Sequence, residues 1–305
     1  MNLSLNTVNL NTIHERYRQN SYFTGNPKSV ATVPQTLQQD VASLGGLLVY
    51  CLTYIPGSII ASKIYNKFNP KETIPDDKAL SATDKMIQDT DLPGNGFKYF
   101  VINKNNKEEV LDEIYKIEWE KASNIKKKLI GPERYKRRLR KKLNKAIKRH
   151  GAFYYPSKNY ALAPEKGQCY LPHEIGHAIV NKDTGLLPLV SATSVLSKLL
   201  ILMVALSPAK SGKSKFIVEK AEHFIQKHAV ALTLLSSVPQ LTSEFTASKI
   251  ALDHTKDTLD KDQQNLLKKK YIYAFSTYVN MSIISACTVK LAVMAKNKIT
   301  AMKFK

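Results

Sequence analysis

Between positions 41 and 61 (VASLGGLLVYCLTYIPGSIIA) no charged residue occurs, and about 20 such residues suffice to cross a bilayer core. A transmembrane helix is therefore expected over 41–62. Three further apolar blocks follow, near 185–207, 224–241 and 271–295, with Lys198, Pro239, Asn280 and Lys290 as interruptions. They read as spans, half-spans or a greasy helical core. Between them the period changes. FKYFVI at 97–102 is aromatic and β-branched, as a strand requires, and FYY at 153–155 and YALA at 160–163 flank the turn former Pro156-Ser157-Lys158-Asn159. Residues 107–149 carry helical spacing through Leu111, Ile114, Ile125 and Leu129. Beyond a break at Gly131-Pro132, Tyr135, Leu139, Leu143 and Ile147 recur every four residues. Pro172 suits the first turn of a helix that continues as LPHEIGHAIV. The pattern predicts a mainly α chain with a small β-sheet (α+β). Residues 1–40 form a flexible polar arm, 63–96 a linker marked by Pro70, Pro75, Pro93, Gly94 and Gly96, 97–295 the principal domain, and 296–305 a basic tail.

Charge sharpens this picture. Lys and Arg number 46 against 25 acids, a formal net charge of +21, and residues 121–150 hold 14 of those cations against Glu133 alone. The excess is thus local. A basic amphipathic helix over 121–150 can lie on anionic lipid headgroups, bind nucleic-acid phosphates, or form a solvated face. The apolar blocks favour the membrane, and no aromatic-interleaved RNA motif or zinc finger accompanies the run, so nucleic acid is the weaker partner. Lys63, Lys67 and Lys71 behind the first span place that side in the cytosol by the positive-inside rule. The lysine-rich stretch between the second and third blocks opposes a simple four-span arrangement. Three scattered cysteines, Cys51, Cys169 and Cys287, exclude a disulfide framework.

The chemistry resides in His173-Glu174-Ile175-Gly176-His177, an HExxH sequence. Four residues apart on a helix, two imidazoles share one face and can grip one metal ion. Zinc suits them, and Glu174 beside the first ligand is placed to take a proton from a metal-activated water. With 7 histidines and 13 glutamates in 305 residues, chance would supply roughly 0.007 such matches. A catalytic zinc needs a third protein ligand. Glu244, in LTSEFTASKIALDH, is one candidate. Small Ala247 and Ser248 on its face would admit a neighbouring helix, and Ser248 could hydrogen-bond a ligand. His223, His228, His254, Glu219 and Glu222 are the alternatives. For stabilising an oxyanion the candidates are Tyr155, His254 and Tyr278, and Cys169 is a conceivable inhibitory thiolate.

HEIGHAI, the apolar blocks after it, EFTAS, and a long apolar C-terminal helix containing Thr277-Tyr278-Val279 together resemble the YugP-type membrane-bound zinc metallopeptidases. HGAFYYPSKNYALAPE resembles the strand–turn–strand ahead of HExxH in that family. The resemblance covers residues 97–295. It implies a gluzincin with a zincin-like core, in which His173, His177 and Glu244 hold Zn2+ and Glu174 is the general base. It further implies an integral membrane endopeptidase acting on peptide or protein substrates. Thr246 departs from the family, which usually has an acid there. The rival readings are an inactive homologue that docks on membranes, and a nucleic-acid-binding protein.

Overall fold

The computed structural model describes residues 35–68, 70–149, 151–208 and 216–302. It is mainly helical with one small sheet. In chain order the elements are α1 (Gln35–Phe68), α2 (Asp76–Asp89), β1 (Lys98–Ile102), α3 (Lys107–Glu120), α4 (Asn124–Ile130), α5 (Pro132–Arg149), β2 (Phe153–Tyr155), β3 (Tyr160–Pro164), α6 (Leu171–Thr184), α7 (Leu187–Leu206), α8 (Ile217–Leu235), α9 (Val238–His254) and α10 (Lys261–Ala301). Three of these, α1, α7 and α10, are long and apolar enough to cross a membrane.

The sheet has the order β1-β3-β2. β3 pairs in parallel with β1, Phe100 opposite Leu162, and antiparallel with β2, Tyr154 opposite Ala161. The central strand is buried at all five positions, as expected when helices cover both faces. One face packs Phe100, Ile102 and Leu162 against Leu111 and Ile114 of α3 and Leu139 and Leu143 of α5. The other joins Ala161 and Ala163 to Met86 of α2 and to Leu171, Ile175 and Ala178 of α6.

The apolar stripe of the basic helix is thereby spent inside the protein. Tyr135, Leu139, Leu143 and Ala146 are buried, leaving only the cationic face of α5 to solvent. Gly131, at φ +71°, separates α4 from α5, so 121–150 is two helices rather than one. A polar knot fixes α5: the Glu118 carboxylate of α3 accepts hydrogen bonds from the hydroxyls of Tyr135 and of Tyr160, the latter at 2.6 Å. Lys142 lies 3.5 Å from the centre of the Tyr155 ring.

Several boundaries differ from the sequence expectation. The stretch read as a linker, 63–96, contains α2, whose Ala79, Ala82, Thr83, Met86 and Ile87 are buried. Its helical stripe is made partly of alanines between flanking prolines, and so is inconspicuous. The first apolar helix extends beyond 41–62 in both directions, taking in residues 35–40 of the polar arm; positions 1–34 lie outside the described residues. The 224–241 block is two helices, because α8 ends at Leu235 and Pro239 sits in the first turn of α9. The tail beginning at 296 is still helix α10. There Lys296 is buried and donates to the carbonyls of Ala205 (2.8 Å) and Ser207 (3.1 Å), at the C-terminal end of α7.

α1 and α10 run antiparallel along their length. Gly57 lies beside Ile284, and a Cβ on Gly46 would stand 2.9 Å from the Ala292 carbonyl oxygen. At one end of the pair Gln38 donates to the Thr300 and Met302 carbonyls, and at the other Lys270 donates to Pro70.

The Glu118 knot predicts a stability effect. Glu118→Ala leaves two buried hydroxyls without their acceptor and should cost about 2–4 kcal/mol. Thermal unfolding of detergent-solubilised protein, followed by circular dichroism, measures this. Tyr135→Phe, which removes one donor only, should cost less.

Candidate metal centre

The centre is made where α6 crosses α9. Residues spaced by four put both histidines on the α6 face that meets α9. That contact is unusually close. A Cβ on Gly176 would run into the Ala247 carbonyl and would approach the Ala247 Cα at 3.0 Å, so only glycine fits between the two histidines.

At that crossing Glu244 Oε2 lies 3.2 Å from His173 Nε2 and 3.4 Å from His177 Nε2. The three ligand atoms lie within 4.8 Å of one another. Zinc bonds of about 2.0–2.1 Å in tetrahedral geometry separate ligand atoms by about 3.3 Å, which both measured edges match. On the far side of each ring is a serine of α9. Ser248 Oγ is 3.1 Å from His173 Nδ1, and Ser243 Oγ is 3.5 Å from His177 Nδ1. In the tautomer whose Nδ1–H faces its serine, each ring would turn an Nε2 lone pair, beside the Glu244 carboxylate, toward one shared point where a cation could be bound. His173, His177 and Glu244 could therefore hold a metal ion. The remaining sequence candidates do not join them: among the described residues no other group of three such ligands forms. His223 and His228 lie on α8, whose Gln226 reaches the opposite end of α7 at Val204 and Ser207.

Electrostatics follow the geometry. Burial opposes ionisation of Glu244, but the imidazoles of His173 and His177 outweigh it and bring its pKa down to about 2. Burial would likewise discharge His177, yet its hydrogen bond to Glu244 and the Glu174 charge raise its pKa. Glu174 is not a ligand here. Its carboxylate is enclosed, which raises its pKa, while the two histidines and a backbone hydrogen bond from Tyr154 pull the other way. The Tyr154 ring is itself fixed, since its hydroxyl accepts from Asn181 (3.1 Å) and donates to Asn159 (3.2 Å).

Two cavities meet at Glu174. One, of about 250 Å3, runs between β2 and the start of α7, bounded by Phe153, Pro156, Leu187 and Val190 beside His177 and Glu244. The second, of about 510 Å3, lies between the end of α1 and α10, with His173 in its wall. Tyr278 of α10 lines both cavities and interacts with Glu244. Of the three oxyanion candidates it is the one beside Glu174. Tyr155 points into the α5 side of the sheet, against Tyr160. Cys169 is buried, and that burial raises its thiol to about 11, so it is protonated at neutral pH and not an inhibitory thiolate. Ser243 and Tyr271 were not anticipated. Tyr271 packs 5.4 Å from the His173 ring, but nothing distinguishes it from the other aromatic residues of the apolar block that carries it.

No family model, curated protein or solved structure matches this chain.

The hydrogen bond to His173 gives a metal-affinity prediction. Ser248→Ala should weaken zinc binding roughly tenfold, as other losses of a ligand-orienting partner do, measured by competition with a chromogenic chelator. Gly176→Val should abolish metal binding by separating the two helices.

Proposed function

We propose that the chain is a membrane-embedded zinc metallopeptidase that hydrolyses peptide bonds at one end of its helical bundle. The observation that carries this reading is the convergence of His173, His177 and Glu244 with Glu174 beside them and unligated. The sequence resemblance to YugP-type peptidases, with a zincin-like core, supports it. Zinc held by these three side chains would supply a Lewis acid that polarises the scissile carbonyl and acidifies water. Glu174 accepts the water proton and delivers it to the leaving amine, a transfer suited to a carboxylate whose pKa burial has raised. Tyr278 is positioned to donate to the developing oxyanion. β2 is an edge strand beside this cleft, and an extended substrate can add to it through main-chain hydrogen bonds.

Three helices of sufficient length and apolarity support a membrane location. Anionic headgroups are the proposed partner of the basic segment, but by a different surface from the one its periodicity suggests. With the stripe of α5 buried, the exposed apolar side chains are Ile125 and Leu129 on α4, at 72% and 75% exposure. They lie one turn apart among Lys126, Lys127 and Lys128. Lys121, just ahead of α4, donates to the Lys158 carbonyl in the β2–β3 turn. Pro156 of that turn shares a cavity wall with Leu187 and Val190, where the apolar helix α7 begins. This neighbourhood supports α4 as the element that meets the bilayer surface, with about 1 kcal/mol from each lysine near anionic lipid.

Two experiments test these readings. Purified wild type should carry about one zinc and cleave a broad peptide mixture. Glu244→Ala should lose the metal, and Glu174→Gln should keep it while losing roughly 10^2–10^4-fold in rate. A wild type that binds no zinc without chelators present sinks the peptidase assignment. For the lipid contact, Leu129→Trp in a Trp119→Phe background, reconstituted in nanodiscs with brominated acyl chains, should be quenched when phosphatidylglycerol is present. The quenching should vanish in neutral discs and when Lys126, Lys127 and Lys128 become Glu.

A further inference from the structure

The larger cavity at Glu174 has a charge that the hydrolytic chemistry leaves unused. Its wall includes Lys71 from beyond the end of α1, Lys166 from the 3-10 turn before α6, and Lys270 from the first turns of α10; its one carboxylate is Glu174. Lys71 and Lys166 are exposed at the mouth. Lys270 is different. Its residue exposure is 3%, and its Nζ donates one hydrogen bond, at 2.8 Å, to the Pro70 carbonyl. No Asp or Glu among the described residues forms an ion pair with it. Its Nζ also lies 5.9 Å from the centre of the Tyr170 ring; a carbonyl and a ring face leave this buried ammonium without the anion that such cations normally find.

The smaller cavity has no lysine or arginine in its wall: Gln240 and Ser243 stand there beside His177 and Glu244, and one flank is formed by Phe153, Pro156, Leu187 and Val190. Glu174, Ala152 and Tyr278 belong to both walls. A chain passing Glu174 would therefore have an apolar flank on one side and a cationic chamber on the other. We propose that this chamber is an anion subsite, in which Lys270 receives a carboxylate of the bound peptide and Lys166 and Lys71 draw it in. The inference rests on the peptidase reading and defines its substrate class: peptides apolar on one side of the cleaved bond and carrying a carboxylate on the other. That carboxylate is either an acidic side chain or the C-terminal group. The first makes the enzyme an endopeptidase selective for acidic sequences, the second a carboxypeptidase.

Binding tests this separately from turnover. The full-length Glu174→Gln protein, zinc-loaded in detergent, is titrated against fluorescent decapeptides of one apolar sequence in three forms. One form is neutral and amidated, one amidated with a single Asp scanned along it, and one neutral with a free C-terminus. At least one carboxylate form should bind roughly tenfold tighter than the neutral peptide, as a charge-assisted hydrogen bond in a buried site provides. The form that gains identifies the source of the carboxylate. Lys270→Met should abolish that gain, whereas Lys270→Arg should keep most of it. Because Lys270 also tethers Pro70, Lys166→Glu provides a check that spares the buried contact, and it should reduce the preference with zinc content intact. Equal binding of all three forms, or a preference that survives both Lys270→Met and Lys166→Glu, overturns the subsite. Failure of every peptide, the neutral one included, to bind the zinc-loaded protein or be cleaved by wild type removes the peptidase reading and the subsite with it.

Discussion

The backbone contact between α6 and α9 at Gly176 and Ala247 sets the geometry of the rest. Two helices can approach this closely only where the residues in the seam are small, and here the seam passes between the two histidines of one helix and beside the glutamate of the other. Any larger residue at Gly176 would push on the Ala247 backbone and so displace the helix that carries Glu244. Proximity also does more than assemble three ligands. It places Ser243, one turn before Ala247, and Ser248, the residue after it, against the outer nitrogens of the rings. The helix that supplies the third ligand thus also orients the other two.

The surrounding elements hold that crossing in place. Tyr271 packs on the His173 ring and its hydroxyl donates to the Cys169 carbonyl at the entrance to α6, which ties α10 to the metal helix. From the other side, α2 and the sheet bury Ile175 and Ala178, the residues that fill the opposite face of α6. The centre therefore lies at the junction of two bodies of structure. The small α+β unit provides the rigid backing and the edge strand, and the long apolar helices provide Tyr278 and the second cavity wall. Because α7 leaves the site at Leu187 and α9 returns to it at Glu244, α8 must travel back alongside α7. Its mixed composition, with Glu219, Lys220, Glu222 and Lys227 in the first half and an apolar second half, explains why hydropathy alone does not pick it out as a fourth span.

The His173–His177 pair was legible in the sequence because its information is local, whereas the choice of Glu244 over the other candidate third ligands depends on the α6–α9 crossing. HExxH fixes a helical face by spacing alone, and the small residues after Glu244 announce a close helix neighbour. The sheet was equally readable from its short aromatic and β-branched runs and the Pro-Ser-Lys-Asn turn, although its order, with β3 central, depends on the non-local pairing of residue 98 with residue 160. What escaped is non-local in the same sense. The α2 stripe is partly alanine, and its burial follows from what packs on it. In the basic segment, periodicity correctly gave an amphipathic helix, yet whether its apolar stripe meets lipid or protein is decided by Phe100 and Leu162, residues in other elements. Lys270 is the sharpest case. In the sequence it ends a run of three lysines at 268–270 and looks solvated, and only the antiparallel packing of α10 against α1 turns it inward.

That packing links the two long apolar helices to the shape of the larger cavity. The same antiparallel register that puts Gly46 against Ala292 and Gly57 against Ile284 brings Tyr65 and Pro70 level with Lys270, Thr277 and Tyr278. The cavity wall is thus a continuation of the α1–α10 interface. A one-turn slip of α1 along α10 would move the cavity wall by about 5.4 Å, closing or widening the chamber without touching His173, His177 or Glu244. In this architecture the metal site is fixed by a glycine seam between two short helices, while the shape of the cleft beside it is fixed by the register of two long ones. The two can therefore vary independently: changes confined to α1 and α10 would reshape the cavity and leave His173, His177 and Glu244 in place.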